Sequence, residues 1–163
     1  KPMHTEQTAR NVKVVDFEHT KVATIQHRGD PQLIGQTIAT FIKWRKQNQL
    51  PPQRRRTFNI VYDDPTTTPL QDYRLDICTA ITSDVQPNHL GITNQAIPAG
   101  RCAMLRHIGN DDTLGQSITY LYNRWLADSG EQLRDFPLFL ERVSFFPEVA
   151  EHQMITDIYL PLQ

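Results

Sequence analysis

The sequence predicts an α+β fold made of duplicated βαββ half-domains with pseudo-twofold symmetry. The first observation is that one stretch occurs twice: HRGDPQLIGQTI at 27–38 returns as HIGNDDTLGQSI at 107–118. Five of the twelve positions are identical at a constant offset of 80 residues. The second observation is that strand-like and helix-like segments follow in the same order in both copies. We therefore expect an antiparallel sheet with helices on one face and a central ligand cleft.

The first copy covers about 12–81 and reads β-β-α-β-β. Asp30 followed by Pro31 is a typical helix start, because an aspartate caps free amides and proline fits the first helical position. Apolar residues then recur at helical spacing until the segment 50–52, LPP, ends the pattern. β-branched and aromatic residues mark the strands. The predicted elements are strands at 12–17, 21–28, 57–64 and 73–81 and a helix at 31–48.

The second copy covers about 91–162 and repeats this order, with Asn110 and two aspartates at the helix start. The predicted elements are strands at 91–99, 101–108, 138–145 and 154–162 and a helix at 112–128. Residues 1–11 are polar and unpatterned, which is typical of a linker or N-terminal tail, so the domain is expected at 12–163. Because the chain starts at Lys1, we expect a piece of a longer protein, and a stand-alone protein is the alternative.

The composition argues against several classes of function. The 163 residues carry a net charge of −1, whereas direct nucleic-acid binding usually needs a basic surface. Two distant cysteines predict buried thiols, and six histidines without ligand spacing predict no metal site. No phosphate-binding loop or other cofactor motif is present. Without a long apolar run or a signal peptide, we expect a cytoplasmic protein with no membrane contact.

Residues that are retained in both copies suggest structural roles. His27 and His107 are equivalent, and we expect both to fix the turn between strand and helix. Gly35 and Gly115 lie inside the predicted helices, where glycine costs about 1 kcal/mol. We expect them to let each helix approach the sheet closely.

The strand alternation predicts a ligand groove on the sheet face that the helices leave uncovered. Successive side chains of a strand point to opposite faces, and polar groups among aromatic residues are typical of a ligand groove. Aligning Pro65 with Pro147 makes Asn59 the equivalent of Glu141, so one half alone supplies a carboxylate. The residues expected on this face are Asn59, Val61, Cys78, Phe139, Glu141, Val143 and Tyr159.

Three segments resemble the GyrI-like effector-binding domains, which occur as gyrase inhibitory proteins and at the C-terminus of AraC-family and multidrug-sensing transcriptional regulators. The segments are YDDPTTTP at 62–69, the twin HRG and HIG turns, and TDIYLPL at 156–162. The resemblance implies paired βαββ units around a cleft that binds a hydrophobic, cationic aromatic compound. LERVSFFP at 140–147 corresponds to the family's glutamate motif, which implies that Glu141 is the acid facing the ligand. Tyr159 corresponds to a recurrent aromatic residue of the closing strand.

Other interpretations stay open from the sequence. Glu141 can pair with an arginine of the chain or face water instead of a ligand. The resemblance also leaves open a hydrolase of small strained or electrophilic compounds, a chemistry that Glu141 with Tyr159 suits. The acidic pairs at 63–64 and 111–112 suit a gyrase-interacting protein. We favour a sensor that is not an enzyme and that reaches DNA only through an attached helix-turn-helix domain absent from this chain; a homodimer is left open.

Overall fold

The computed structural model describes residues 10–163, which form one eight-stranded antiparallel sheet, curled into a half-barrel, and two helices. The strands are β1 (Val12–Phe17), β2 (Thr20–Arg28), β3 (Thr57–Val61), β4 (Arg74–Ala80), β5 (Thr93–Ile97), β6 (Gly100–Ile108), β7 (Phe139–Ser144) and β8 (Ile155–Pro161). Their order across the sheet is β1-β6-β8-β7-β3-β4-β2-β5. The predicted α+β class is therefore confirmed.

The strand order confirms the duplication and its pseudo-twofold symmetry. Strands at the same distance from the two edges of the sheet are equivalents in the two halves: β1 and β5, β6 and β2, β8 and β4, and β7 and β3. The axis passes through the central β3–β7 pair, where Asn59 lies opposite Leu140. On either side of these two residues, Phe58 pairs with Glu141 and Ile60 pairs with Phe139. The twofold axis exchanges these two residue pairs.

The first strand of each half pairs with the other half. β1 pairs with β6 and β5 pairs with β2. Only two residues lie between Phe17 and Thr20, so their Cα atoms are at most about 11 Å apart. Yet β1 and β2 are six strand positions apart in the sheet, about 29 Å if it were flat. The sheet must therefore curl until its two edges approach each other.

Each half places one helix on the same face of the sheet, which we call the helix face. Helix α1 is Ile34–Gln47. Helix α2 begins as an α-helix at Leu114–Tyr120, continues as a π-helical segment at Leu121–Leu126 and ends at Ala127–Ser129. Two of the three buried clusters pack under these helices, one under each. No helix among residues 10–163 is both long enough and apolar enough to cross a membrane.

The two histidines join strand, turn and helix in the same way. His27 contacts the Thr37 hydroxyl through Nδ1 at 2.8 Å and the Asp30 carbonyl through Nε2 at 2.9 Å. His107 contacts the Ser117 hydroxyl at 3.0 Å and the carbonyl of residue 110 at 3.1 Å. Because a ring nitrogen must donate to a carbonyl, the Nε2–H form is the one that satisfies both contacts. The expected structural role is confirmed.

The expectation for the helix glycines is wrong. A Cβ atom placed on Gly35 or Gly115 would meet no atom within 4 Å outside its own helix turn. Both residues are exposed, so neither helix needs them to approach the sheet.

Candidate ligand site

The sheet face opposite the helices, which we call the open face, carries Glu141 at its centre. Residues that pair directly across neighbouring strands share a face. Glu141 pairs with Phe58 and with Asp157, and Phe139 pairs with Tyr159. Cys78 pairs with Phe58 on the other side. These residues therefore lie together on the open face, across the junction of the two halves.

Four aromatic rings form the floor of this face. Phe139 and Tyr159 stack with centroids 5.0 Å apart and planes 9° apart. Phe17 meets both edge-on, at 4.9 and 5.2 Å. Phe58 lies 6.0 Å from Phe17, also edge-on. Such stacked and edge-to-face arrangements are the favourable ones for aromatic side chains.

Glu141 is paired with an arginine above this floor. Nε and Nη2 of Arg56 donate to the two carboxylate oxygens of Glu141, each at 2.8 Å. The Glu141 side chain is 13% exposed and that of Arg56 is 48% exposed. The guanidinium carbon lies 4.9 Å from the ring centroid of Phe58 and 5.5 Å from that of Phe17. The hydrogen bonds from Arg56 to Glu141 raise the pKa of this guanidinium. One of the alternatives left open by the sequence, an arginine partner for Glu141, is therefore present.

The hydroxyl of Tyr159 points at the same carboxylate. It lies 3.5 Å from Oε1 of Glu141, at the long limit of a hydrogen bond. Burial, followed by the negative charge of Glu141, raises the pKa of Tyr159 to about 12. The phenol is therefore neutral at neutral pH and acts as a hydrogen-bond donor.

The other buried acids described on the open face also have arginine partners. Arg106 donates to both oxygens of Asp157, at 2.8 and 3.0 Å. Arg28 donates to Asp76 at 3.0 Å, and the hydroxyl of Tyr62 donates to the other oxygen at 2.9 Å. Asp76 and Asp157 are equivalent in the two halves. Charge on this face is therefore balanced in pairs, with the acids buried and the arginines half-exposed.

The profile of the GyrI-like small molecule binding domain matches residues 10–163. The chain belongs to this family. The probable transcriptional regulator YgiV of Escherichia coli (strain K12) is 34% identical over 153 residues, which is 93% of this chain and 96% of YgiV. The C-terminal domain of EcmrR superposes with a TM-score of 0.77 at 17% identity, covering 95% of this chain and 98% of that domain. The GyrI-like chain spans 62% of the EcmrR chain seen in a complex with DNA.

Two further solved structures share the GyrI-like fold at low identity. SAV2435, bound to tetraphenylphosphonium, has a TM-score of 0.57 at 11% identity and covers 94% of both chains. A hydrolase from Listeria innocua has a TM-score of 0.63 at 12% identity and covers 100% of this chain and 98% of its own. At these identities the likeness concerns the fold alone.

Four of the seven residues predicted to line the groove of this GyrI-like domain lie on the open face. Phe139, Glu141 and Tyr159 meet at the centre. Cys78 lies beside Phe58, but its thiol is fully buried, contacts the Thr24 hydroxyl and has a pKa raised to about 12 by burial. It is therefore a packing residue with little nucleophilic character.

The other three predicted residues lie elsewhere. Asn59 and Val61 face the helices, which corrects the assignment of both to the groove. The side-chain oxygen of Asn59 accepts from Nε of Arg142 at 2.9 Å, and Val61 packs against the cluster under α2. Val143 is the extra residue of a β-bulge between β7 and β8 and is 43% exposed, outside the aromatic cluster.

The alignment of Asn59 with Glu141 is wrong by one residue, and this shift explains why the sequence does not indicate Phe58 as a residue of the open face. The strand pairings make Ile60, not Asn59, the equivalent of Glu141, and put Phe58 on the open face. Arg56 precedes β3, and only its contact with Glu141 assigns it to the site. The sequence shows that residues 17 and 58 are aromatic, but the sheet face on which Phe17 and Phe58 lie depends on the strand register.

A separate groove of about 720 Å³ lies outside the predicted site. It is lined by residues of α1 and of the segment 49–54, and includes Ile38, Ile42, Leu50 and Phe145. None of the seven predicted residues contributes to it. Within residues 10–163, no three His, Cys, Asp or Glu side chains are grouped to hold a metal ion.

Proposed function

We propose that this GyrI-like chain is the ligand-sensing domain of a transcriptional regulator and that it binds a hydrophobic aromatic cation on the open face, with Glu141 as the counter-charge. The observation that carries the proposal is the pairing of Glu141 with a cation above aromatic rings. The chain's own guanidinium has this environment. A ligand cation of similar charge would find the same partners.

The physical reason is the cost of burying a charge without a partner. A carboxylate with 13% exposure needs a positive partner or hydrogen bonds, since its transfer from water is costly. Aromatic faces add a cation–π attraction of about 0.5–2 kcal/mol. The stacked rings of Phe139 and Tyr159 are buried, so the ring faces that a ligand cation would meet are those of Phe58 and Phe17, which the Arg56 guanidinium covers. Tetraphenylphosphonium, to which the fold neighbour SAV2435 is bound, has this chemistry.

Sensing requires that the ligand favour one arrangement of the protein. A ligand shifts a conformational equilibrium only by the difference in its affinity for the two states. Among the relatives, YgiV is named as a probable transcriptional regulator, and EcmrR combines this fold with further residues in a DNA complex. This chain spans 96% of YgiV but 62% of EcmrR, so EcmrR is the relative that supports our proposal that DNA is contacted through an attached helix-turn-helix domain.

A hydrolase is the second candidate, since a fold neighbour is named as one and Glu141 lies near the phenol of Tyr159. The geometry favours it less. Both oxygens of Glu141 accept hydrogen bonds from Arg56, so the carboxylate is held by a cation and no nucleophile of the chain is positioned by it. Direct protein binding through acidic loops is also less favoured, because Asp63 pairs with Arg74 and Asp111 with Arg142.

Calorimetric titration with tetraphenylphosphonium and with neutral triphenylphosphine oxide tests the proposal. We expect Glu141→Gln to bind the cation about tenfold to a hundredfold more weakly, since two opposite charges about 6 Å apart attract by about 3 kcal/mol at an effective dielectric constant of about 20. Glu131→Gln is the matched control, because Glu131 forms a similar two-point pair with Arg101 elsewhere. Equal affinity of the native protein and Glu141→Gln for the cation would refute the role of Glu141.

Turnover separates the sensor from the hydrolase. Incubation with p-nitrophenyl acetate should give the same background hydrolysis for the native protein and Glu141→Gln. A rate that depends on both Glu141 and Tyr159 would favour the hydrolase instead.

A further inference from the structure

The structure contains an occupant of the cation position. We propose that Arg56 is a tethered competitor of the effector: its guanidinium fills the position of the ligand cation, and a ligand binds only by displacing it from Glu141. This inference rests on the proposed function, because it requires a cation position at Glu141. It adds a residue that sets affinity and selects the ligand's charge.

The guanidinium has the three contacts expected of a ligand cation. It forms a two-point pair with the Glu141 carboxylate, it lies over the ring of Phe58, and it lies over the ring of Phe17. A ligand cation at Glu141 would need the same carboxylate charge and the same ring faces. Both cations cannot occupy this position together, because they would share one negative charge at close range.

The backbone holds Arg56 in place while its side chain can leave. The carbonyl of Arg56 accepts from the amide of Ala80 at 2.9 Å, and the preceding carbonyl accepts from Nη2 of Arg45 at 3.0 Å. About half of the Arg56 side chain is already exposed. Displacement therefore needs rotation of a long side chain into water, where the charge is well solvated, and no break in the sheet.

The exchange selects ligands by charge. A neutral compound that displaced Arg56 would leave the mostly buried Glu141 without a positive partner, and breaking such an ion pair is strongly unfavourable. A cation restores the pair as it displaces the arginine. Asp157 of β8 lies beside Glu141 of β7, and both of its oxygens accept from Arg106. Arg106 is therefore not free to replace Arg56.

The competition predicts a gain of affinity when Arg56 loses its charge. If the paired state of Arg56 is favoured about tenfold over the released state, the native apparent Kd is raised about tenfold. We therefore expect Arg56→Gln to bind tetraphenylphosphonium about tenfold more tightly than the native chain, while triphenylphosphine oxide gains less. Arg101→Gln is the matched control, because it removes an equal charge from the two-point pair with Glu131. We expect it to leave affinity unchanged.

Calorimetry on the full chain distinguishes the competition by Arg56 from the cation sensor itself. The variants compared are Glu141→Gln and the double variant that carries both Arg56→Gln and Glu141→Gln. If Arg56 acts by competing for Glu141, Arg56→Gln should change affinity less than threefold once Glu141 is replaced. Cation binding that depends on Glu141 but is equal or weaker in Arg56→Gln would overturn the competition and leave the sensor intact. No saturable cation binding in any variant would overturn both.

A measurement on the native protein covers the case in which Arg56→Gln fails to fold. The side-chain Nε–H resonance of Arg56, assigned by its absence in Arg56→Lys, should move to the position of a solvent-exposed arginine when tetraphenylphosphonium saturates the chain. An unchanged resonance at saturation would show that Arg56 stays on Glu141 and would overturn the proposal.

Discussion

The phenol of Tyr159 makes stability depend on pH at the open face. Burial, with the charge of Glu141, raises its pKa to about 12, whereas the pKa of tyrosine in an unfolded chain is about 10. The folded pKa lies above the unfolded one, so the folded state keeps the proton longer. Its contribution to stability is complete below about pH 10 and is lost as the pH rises to about 12.

Replacing Tyr159 by Phe should remove this dependence. Between about pH 10 and 12, we expect the free energy of unfolding of Tyr159→Phe to fall less steeply than that of the native protein, by about 1.4 kcal/mol per pH unit. Urea unfolding at several pH values measures the slopes. Tyr62, whose pKa is also raised to about 12, chiefly by burial and by its contact with Asp76, should give a similar change when replaced by Phe. Equal slopes for the native protein and Tyr159→Phe would mean that Tyr159 titrates like an exposed phenol.

The limits of prediction at single positions have a physical cause. Asn59 looked like an outward-facing polar residue between apolar neighbours, yet it is buried against the helices. Its burial is tolerated because Arg142, 83 residues later, donates to its side-chain oxygen. The pair of Arg56 and Glu141 spans 85 residues. Partners so distant in sequence cannot be inferred from local alternation, and a one-residue slip of register moves a strand's side chains to the other face.

The helices show how duplicated elements diverge without losing their packing. Phe41 and Leu121 are equivalent at an offset of 80, but Trp44 and Trp125 at an offset of 81. The π-helical segment of α2, Leu121–Leu126, lies where the extra residue occurs. A π-turn accommodates one additional residue in a helix, so the tryptophan returns to the side facing the sheet. Helix α1, without the insertion, is regular throughout.

Alanine at the two helix glycines should stabilise the protein. Gly35 and Gly115 are exposed, have no unusual backbone angle, and leave room for a Cβ atom. We expect Gly35→Ala and Gly115→Ala each to raise the free energy of unfolding by about 0.5–1 kcal/mol, and the double variant to show the sum. Urea denaturation provides the values. Gly109→Ala is the contrasting control: its φ of +134° disfavours any side chain, so it should destabilise.

The elements themselves were largely predictable because their signals are local. The cap at Asp30 accepts from the amide of Gln32 at 2.9 Å, and its equivalent Asn110 accepts from Asp112 at 3.0 Å, as the sequence indicated. Both helices and all eight strands were expected, with ends that differ by a few residues. The exchange of β1 and β5 between the halves was not expected, because pairing partners depend on how far the sheet curls.

The whole molecule is held together by contacts that cross between its halves. β1 of the first half pairs with β6 of the second, β5 of the second half pairs with β2 of the first, and β3 pairs with β7 at the centre of the sheet. The open-face cluster contains buried residues from both halves, among them Phe58 of the first and Phe139 of the second. Phe17 touches both rings at the point where the chain passes from β1 to β2. We therefore expect the halves to unfold together, although each has its own helix and its own cluster beneath it.

Truncating Phe17 tests this cooperativity. Phe17→Ala removes a 6% exposed ring that contacts three other rings, so we expect a loss of about 3–5 kcal/mol of stability. Because Phe17 joins the halves, the loss should lower the melting temperature of the whole chain and leave one calorimetric transition, with equal van't Hoff and calorimetric enthalpies. Ile118→Ala, which removes packing under α2 alone, should give a smaller shift and again one transition. Two separate transitions in either variant would mean that the exchanged strands do not couple the halves.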